Sequence, residues 1–417
     1  MRPSLLTGAP AAIGALAALT ASGASPAAPA PARLPLGPAA LSERTFARTL
    51  APGVTWTRIT RGRRSRTGAT GPWRVNVLRV AREAPGVRLA VALSNGVVPR
   101  RAPLHAIARS RRAIAAVNGG YFSSLRGLDG DPVGALAVGR RLVSEPVAGR
   151  PSLLLGQGPA GRPRIASLSF AGAVQAGGRR RLLDGVDRPR GLIPGCGGRG
   201  GDRPTQRPSP SLVCTDASEL ILFTPAYGAR TAPARGGVEV LVRSGAVTAQ
   251  RAGGSSRIPR DGYVLSGSGD AAAFLRVRAG LGERPGADLT LRAGAGRVRA
   301  DALGGIVSGG PQLLERGRLV RQAGDPATGA RSPRTLAGVR PNGDLLLVTI
   351  DGRAPGFSVG VTLGEAARVM RRLGARDALN LDGGGSTTMT VDDRVVNRPS
   401  DGGRARSLSD ALVVIPR

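Results

Sequence analysis

The chain of 417 residues carries 60 basic and 27 acidic side chains, for a formal charge of +33, with one histidine, two cysteines and 3% aromatic residues. All 60 basic residues are arginine and they are spread along the whole length; a nucleic-acid surface would cluster both basic types and interleave stacking aromatics, so nucleic acid is disfavoured as a partner and compositional drift accounts better for the charge. A single histidine leaves serine-histidine-aspartate hydrolysis and histidine-based metal centres without their parts unless His105 alone serves.

Residues 1–31 read as a secretory signal peptide: one early arginine, an apolar stretch from Leu5 to Ala21, then small residues. Gly8, Pro10 and Gly14 interrupt that stretch, which favours cleavage over anchoring, and no other segment approaches about 18 consecutive apolar residues. The expectation is a secreted or cell-envelope-associated protein with no stable membrane span after cleavage. Residues 32–53 are expected to form a linker or tether.

A first part of the main domain is expected over 54–165. Val54–Ile59, Trp73–Val80 and Arg88–Leu93 alternate like strands, and Pro103–Ser110, with His105, fits a short amphipathic helix. Ala113–Val117 is a short apolar strand ending in Asn118, Gly119, Gly120, Tyr121 and Phe122. Asp129 and Asp131 flank a glycine in a turn that follows closely enough to wall a pocket, with fewer oxygen ligands than a calcium loop requires. Residues 166–300 read as a β-rich insertion with a glycine-, arginine- and proline-rich loop between Cys196 and Cys214. In an exported chain these two cysteines are expected to form a disulfide, which limits the unfolded loop where no apolar core holds it.

The second part, 301–417, holds the densest motifs. Thr335–Val339 and Leu345–Ile350 are expected to pair around Pro341–Asp344, and the second strand ends in Asp351, Gly352 and Arg353. Thr362 and Glu365 have capping-box spacing for a helix that Gly374 ends. Ala378–Leu381 then leads to Asp382, to Gly383, Gly384 and Gly385, which let another molecule approach without meeting a Cβ, and to the hydroxyls of Ser386, Thr387 and Thr388. Strand, helix and strand read as a βαβ unit with parallel strands, so both aspartates should reach one sheet edge. The expected fold class is α+β: a mixed sheet with a βαβ unit near the C-terminus and a β-rich insertion. On the residues alone, a glycine-rich hairpin with an Asx-type turn is the competing reading of 382–385.

The order of NGGYF at 118–122, SPRT at 332–335, TIDGR at 349–353 and NLDGGGSTTM at 380–389 resembles the phosphodiester glycosidase family, from about Asn76 to Ile415 with a looser middle. The resemblance implies hydrolysis of the anomeric bond of a sugar 1-phosphodiester, with an N-acetylglucosamine-like sugar, in cell-envelope or exopolysaccharide material. It implies Asp382 in the central anomeric role and Asp351 as second carboxylate, with those roles exchangeable, and Arg334 on phosphate. Asn118 and the amides of Gly119 and Gly120 would hold sugar hydroxyls or phosphate oxygens, with Arg353, Gly383, Gly384, Gly385, Ser386 and Thr387 also on the substrate. No cofactor follows from it, and the acidic loops leave room for a calcium ion that no motif places. An anionic cell-wall polymer is retained as a partner for the arginine surface. The alternative reading is a non-catalytic envelope glycan-binding protein.

Overall fold

The computed structural model describes residues 33–64, 68–156, 161–198, 203–204, 213–321 and 329–417; the expected signal peptide, 1–31, lies outside them. The largest sheet has eight strands in the order Glu43–Ala51, Val54–Arg61, Trp73–Val80, Leu345–Ile350, Arg334–Val339, Asp377–Asn380, Gln312–Glu315 and Arg318–Leu319. Alternation along each strand divides its side chains between two cores. Val75, Val77, Leu336, Leu346, Val348 and Ile350 pack with Ala366, Val369 and Met370 of the helix Leu363–Arg372. Leu78, Val80, Ala337, Val339, Leu345 and Leu347 face the opposite way, into a cluster shared with the other sheets.

Every neighbouring pair in this sheet is antiparallel, so the expected mixed sheet is corrected. The expected βαβ pairing is corrected with it: Leu345–Ile350 and Asp377–Asn380 are not neighbours, because Arg334–Val339 lies between them and pairs antiparallel with both. The Pro341–Asp344 turn makes Arg334–Val339 the hairpin partner of Leu345–Ile350, and the last strand pairs on its other side. Across several sheets and few helices, the architecture is β-rich.

The tether expected over 32–53 is also corrected where it is described. Glu43–Ala51 is the edge strand of the large sheet, and Leu34 and Leu36 are buried in its core. Arg61, itself buried, accounts for this order: Nε donates to the Leu36 carbonyl at 2.7 Å and Nη2 to the Pro38 carbonyl at 2.9 Å. Few apolar residues in a proline-rich stretch conceal such anchoring, which arrives from a distant strand.

A five-stranded antiparallel sheet orders Arg394–Val395, Met389–Val391, Ala115–Asn118, Asp410–Pro416 and Val87–Leu93. The chain leaves the large sheet after Asn380 and enters this second one at Met389, so 381–388 bridge the two sheets. Within 166–300, Leu220–Phe223, Gly262–Gly267, Val238–Arg243 and Ala246–Ala252 form further antiparallel pairings. Their apolar side chains share a core with Ala135, Leu142, Leu154 and Ile306 from outside that range. The Cys196–Cys214 disulfide is formed. Among the described residues, no helix is long and apolar enough to cross a membrane.

Candidate active site

Because Leu345–Ile350 and Asp377–Asn380 both run antiparallel to Arg334–Val339, they run parallel to each other and end at the edge where Arg334 begins. Arg334 pairs with Ile350, the residue before Asp351, and Leu336 pairs with Asn380, two residues before Asp382. The register therefore sets an arginine strand between two aspartate strands. This is the juxtaposition that the parallel pairing was expected to supply, reached by another topology.

Asp351 is 1% exposed, and its Oδ1 accepts from Asn397 Nδ2 and from the Arg398 amide, each at 3.0 Å. Both bonds fall on Oδ1, which fixes the orientation of the carboxyl. The guanidinium groups of Arg74 and Arg398 both lie over the Phe357 ring, 4.2 and 5.1 Å from its centroid. Burial pushes the Asp351 carboxyl up to about 6, against the opposing pull of these donors and charges.

Asp382 is half-buried and is also raised to about 6, first by burial, with Ser386, Arg406 and the Gly383 amide lowering it and Asp410 raising it. The glycines that follow are required by what lies against them. A Cβ on Gly383 would stand 3.0 Å from the Pro333 carbonyl, one on Gly384 3.1 Å from Arg353 Nη1, and one on Gly385 2.2 Å from Arg406 Nη2. Gly384 additionally has φ of +58°, which favours glycine. Arg334, Arg353 and Arg406 thus surround the triplet. Arg334 Nε donates to the Val361 carbonyl at 3.4 Å, and burial lowers its pKa, as does the neighbouring positive charge of Arg353. Arg353 is exposed, and Arg406 is held by Asp401 through Nε at 3.0 Å and Nη2 at 2.8 Å.

The residues around Asn118 have a different place from the one expected. Asn118 is 1% exposed: Nδ2 donates to the Asp382 carbonyl at 2.7 Å, while Oδ1 accepts from Thr335 Oγ1 at 2.7 Å and the Thr388 amide at 3.1 Å. Its amide is consumed in joining the arginine strand to the Asp382 loop. The Gly119 amide donates to the Asp410 carbonyl at 3.1 Å and the Gly120 amide to Asp410 Oδ1 at 3.0 Å, so neither is directed at a ligand. Both glycines are needed for close packing, with a Cβ on Gly120 standing 2.6 Å from the Ser308 carbonyl. Thr387 is 1% exposed and its carbonyl accepts from Asn397 Nδ2 at 3.0 Å; it also lies beneath the surface.

Three further residues belong to this centre. Tyr121 donates its hydroxyl to the Gly310 carbonyl at 2.7 Å and accepts from Asn380 Nδ2 at 2.8 Å. Burial and then the charge of Asp382 push its pKa up to about 12, opposed by Arg150 and Arg334. Asp410, 1% exposed, is the carboxylate that acts on Asp382, and burial raises its own pKa. Arg406 completes the set. The tyrosine stood in a motif that could have marked it; Asp410 and Arg406 carried no local signal. No group of three or more His, Cys, Asp or Glu side chains is arranged to hold a metal ion among the described residues.

Residues 236–415 match the family model described as phosphodiester glycosidase. This range includes Arg334, Asp351, Asp382 and Asp410, and excludes Asn118–Tyr121. A crystal structure of a protein of Burkholderia pseudomallei, described as exported, is 28% identical with a TM-score of 0.79, over 92% of this chain and 98% of that one. A Synechocystis protein of 23% identity and TM-score 0.66, covering 91% of this chain and 69% of that one, shares the fold. A prophage-derived Bacillus subtilis protein is 34% identical over 84 residues, which is 20% of this chain and only 13% of that protein's length.

Proposed function

Since residues 236–415 match the phosphodiester glycosidase family model, we propose that the chain is an exported hydrolase that breaks the anomeric C–O bond of a sugar 1-phosphodiester. The observation that carries this reading is the edge order of Asp351, Arg334 and Asp382, two carboxyls near pKa 6 with a guanidinium strand between them. Breaking that bond leaves positive charge on the sugar and negative charge on the departing phosphate, and carboxylates and arginine oppose those charges respectively.

Asp382 faces the anomeric carbon, and Asp351, oriented through Oδ1, uses Oδ2 to take a proton from water. The water oxygen joins the anomeric carbon, the bridging oxygen leaves with the phosphate, and the products are free sugar and a phosphomonoester. Phosphate departs without needing a proton, so Arg334 and Arg353 contribute more than an acid would. Asn118 acts through Asp382 and Thr335 as a positioning residue, and the glycine triplet leaves the approach open. The sugar is N-acetylglucosamine-like and its natural carrier is cell-envelope or exopolysaccharide material, in keeping with an exported protein.

The test is hydrolysis of the para-nitrophenyl phosphodiester of N-acetylglucosamine 1-phosphate by the full chain beside Asp382→Asn, with the products identified. Free sugar plus para-nitrophenyl phosphate, lost in the variant, supports the reading. Absence of product from folded protein across several sugar 1-phosphodiesters, with saturable glycan retention, would replace it with a binding role.

A further inference from the structure

We propose that Arg150 is an anion-binding residue of this site, gripping a phosphodiester together with Arg334; only the identity of the anion rests on the function proposed above. Arg150 immediately precedes the strand Pro151–Leu155 and belongs to none of the motifs that mark the site. Its stem runs over Gly134, where a Cβ would stand 3.0 Å from Arg150 Cδ. Its guanidinium lies over the Tyr121 ring, 5.2 Å from the centroid. Nη1 is 3.9 Å from where a Cβ on Gly310 would be, and the Gly310 carbonyl accepts from both Tyr121 and Asn380. Arg150 is thereby tied to the two residues that flank the Asp382 strand end.

The guanidinium has no counter-ion among the described residues. Other arginines of this chain find a carboxylate, as half-buried Arg101 does in Asp129 and exposed Arg109 in Asp393. Arg150 is half-buried, makes no ion pair and no side-chain hydrogen bond among the described residues, and its Nε is buried without a partner. The contact with the Tyr121 ring returns only part of the cost of desolvating the charge. Withdrawing a charged group from water without a pairing partner costs more than such a ring contact returns. The arrangement is therefore costly when empty and is relieved by an anion. Tyr121, whose ring lies against Arg150, accepts at its hydroxyl from Asn380, two residues before Asp382, so an anion received by Arg150 is held beside the proposed reacting groups. The planar fork of Arg150 suits a monoanionic diester with two unbridged oxygens, and Arg334, whose Nε and Nη2 donate to the Val361 and Ala330 carbonyls, adds a second positive charge.

The experiment titrates dimethyl phosphate, with neutral trimethyl phosphate as control, into the full chain, Arg150→Gln and Arg150→Lys, and records melting temperatures without anion. Dimethyl phosphate is expected to bind the native chain and to lose roughly 10- to 100-fold in affinity in Arg150→Gln, the range for a hydrogen bond between charged groups. Arg150→Lys should fall between, and Arg150→Gln should melt no lower than the native chain, because an unpaired charge has been removed. Unchanged affinity in Arg150→Gln overturns the proposal. So does a lowered melting temperature with unchanged affinity, which would make Arg150 a packing partner of Tyr121. If no sugar phosphodiester is hydrolysed but the affinity still falls, the glycosidase reading fails and the anion site stands; normal turnover with unchanged affinity gives the reverse.

Discussion

Gly119 and Asp410 are in contact so close that a Cβ on the glycine would stand 1.8 Å from Asp410 Oδ1. The carboxylate fills the place of the missing side chain and accepts from the Gly120 amide at 3.0 Å and from Ser409 Oγ at 2.7 Å. Gly119→Ala must displace it and leave buried polar groups without partners, at a cost of about 3 kcal/mol. The denaturant midpoint measures this. A loss below about 0.5 kcal/mol, typical of an unconstrained surface position, would show that the contact is not constraining.

The acid limb of the pH–rate profile follows from the two raised carboxyls. Both act ionised in the proposed reaction and both lie near 6, so kcat/KM should fall below about pH 6 with a slope approaching two and stay level above it. A bell centred near 6 would instead show that one aspartate works as an acid.

Stability should respond in the opposite sense to activity. The native carboxyls near 6 lie above the ordinary value of about 4, so the folded chain holds these protons more tightly, and stability declines as pH rises from about 4 to about 6. Asp382→Asn removes one such charge. At pH 7 it should raise stability by on the order of 2 kcal/mol, with the gain fading below pH 5 in thermal melts. A variant that melts below the native chain at pH 7 would contradict the raised pKa and would also undermine any catalytic interpretation of its lost activity.

Arg334 and Arg353 should separate kinetically. Arg334 is half-buried beside Tyr121, whereas Arg353 is exposed. Arg334→Gln is expected to lower kcat by roughly 100-fold or more through loss of a preorganised charge on the leaving group, and Arg353→Gln to change kcat/KM by less than about 10-fold. Equal effects of the two substitutions would argue that Arg334 is not the principal phosphate contact.

The local chemistry of the site was legible where one stretch of chain carries it. The Thr362–Glu365 capping box forms as its spacing indicates, and strands end at Asp351 and close before Asp382. The pairing of Thr335–Val339 with Leu345–Ile350 was legible from the turn between them, but the place of Asp377–Asn380 was not, because a helix between two strands fixes their direction but not whether a third strand enters between them. Asp410 was hidden for a related reason: its relation to Gly119 depends on the pairing of Ala411 with Asn118, 293 positions apart, which no periodicity encodes. Gly119 and Gly120 were expected to turn their amides to a ligand, but the groups that approach them are Asp410 and the Ser308 carbonyl.

The hairpin register acts as a ruler. Arg334 meets Ile350 because Val339 meets Leu345, and the Arg340–Asp344 turn fixes that pairing, with the Arg340 amide donating to the Asp344 carbonyl at 2.9 Å and Asp344 Oδ2 accepting from Arg79 Nε at 2.8 Å. The turn is about 20 Å of strand away from the aspartates at roughly 3.4 Å per residue. One added residue in it would slip the pairing and turn Arg334 to the other face. A surface turn at the far end of the sheet is thus intolerant of insertion, although it touches nothing in the site.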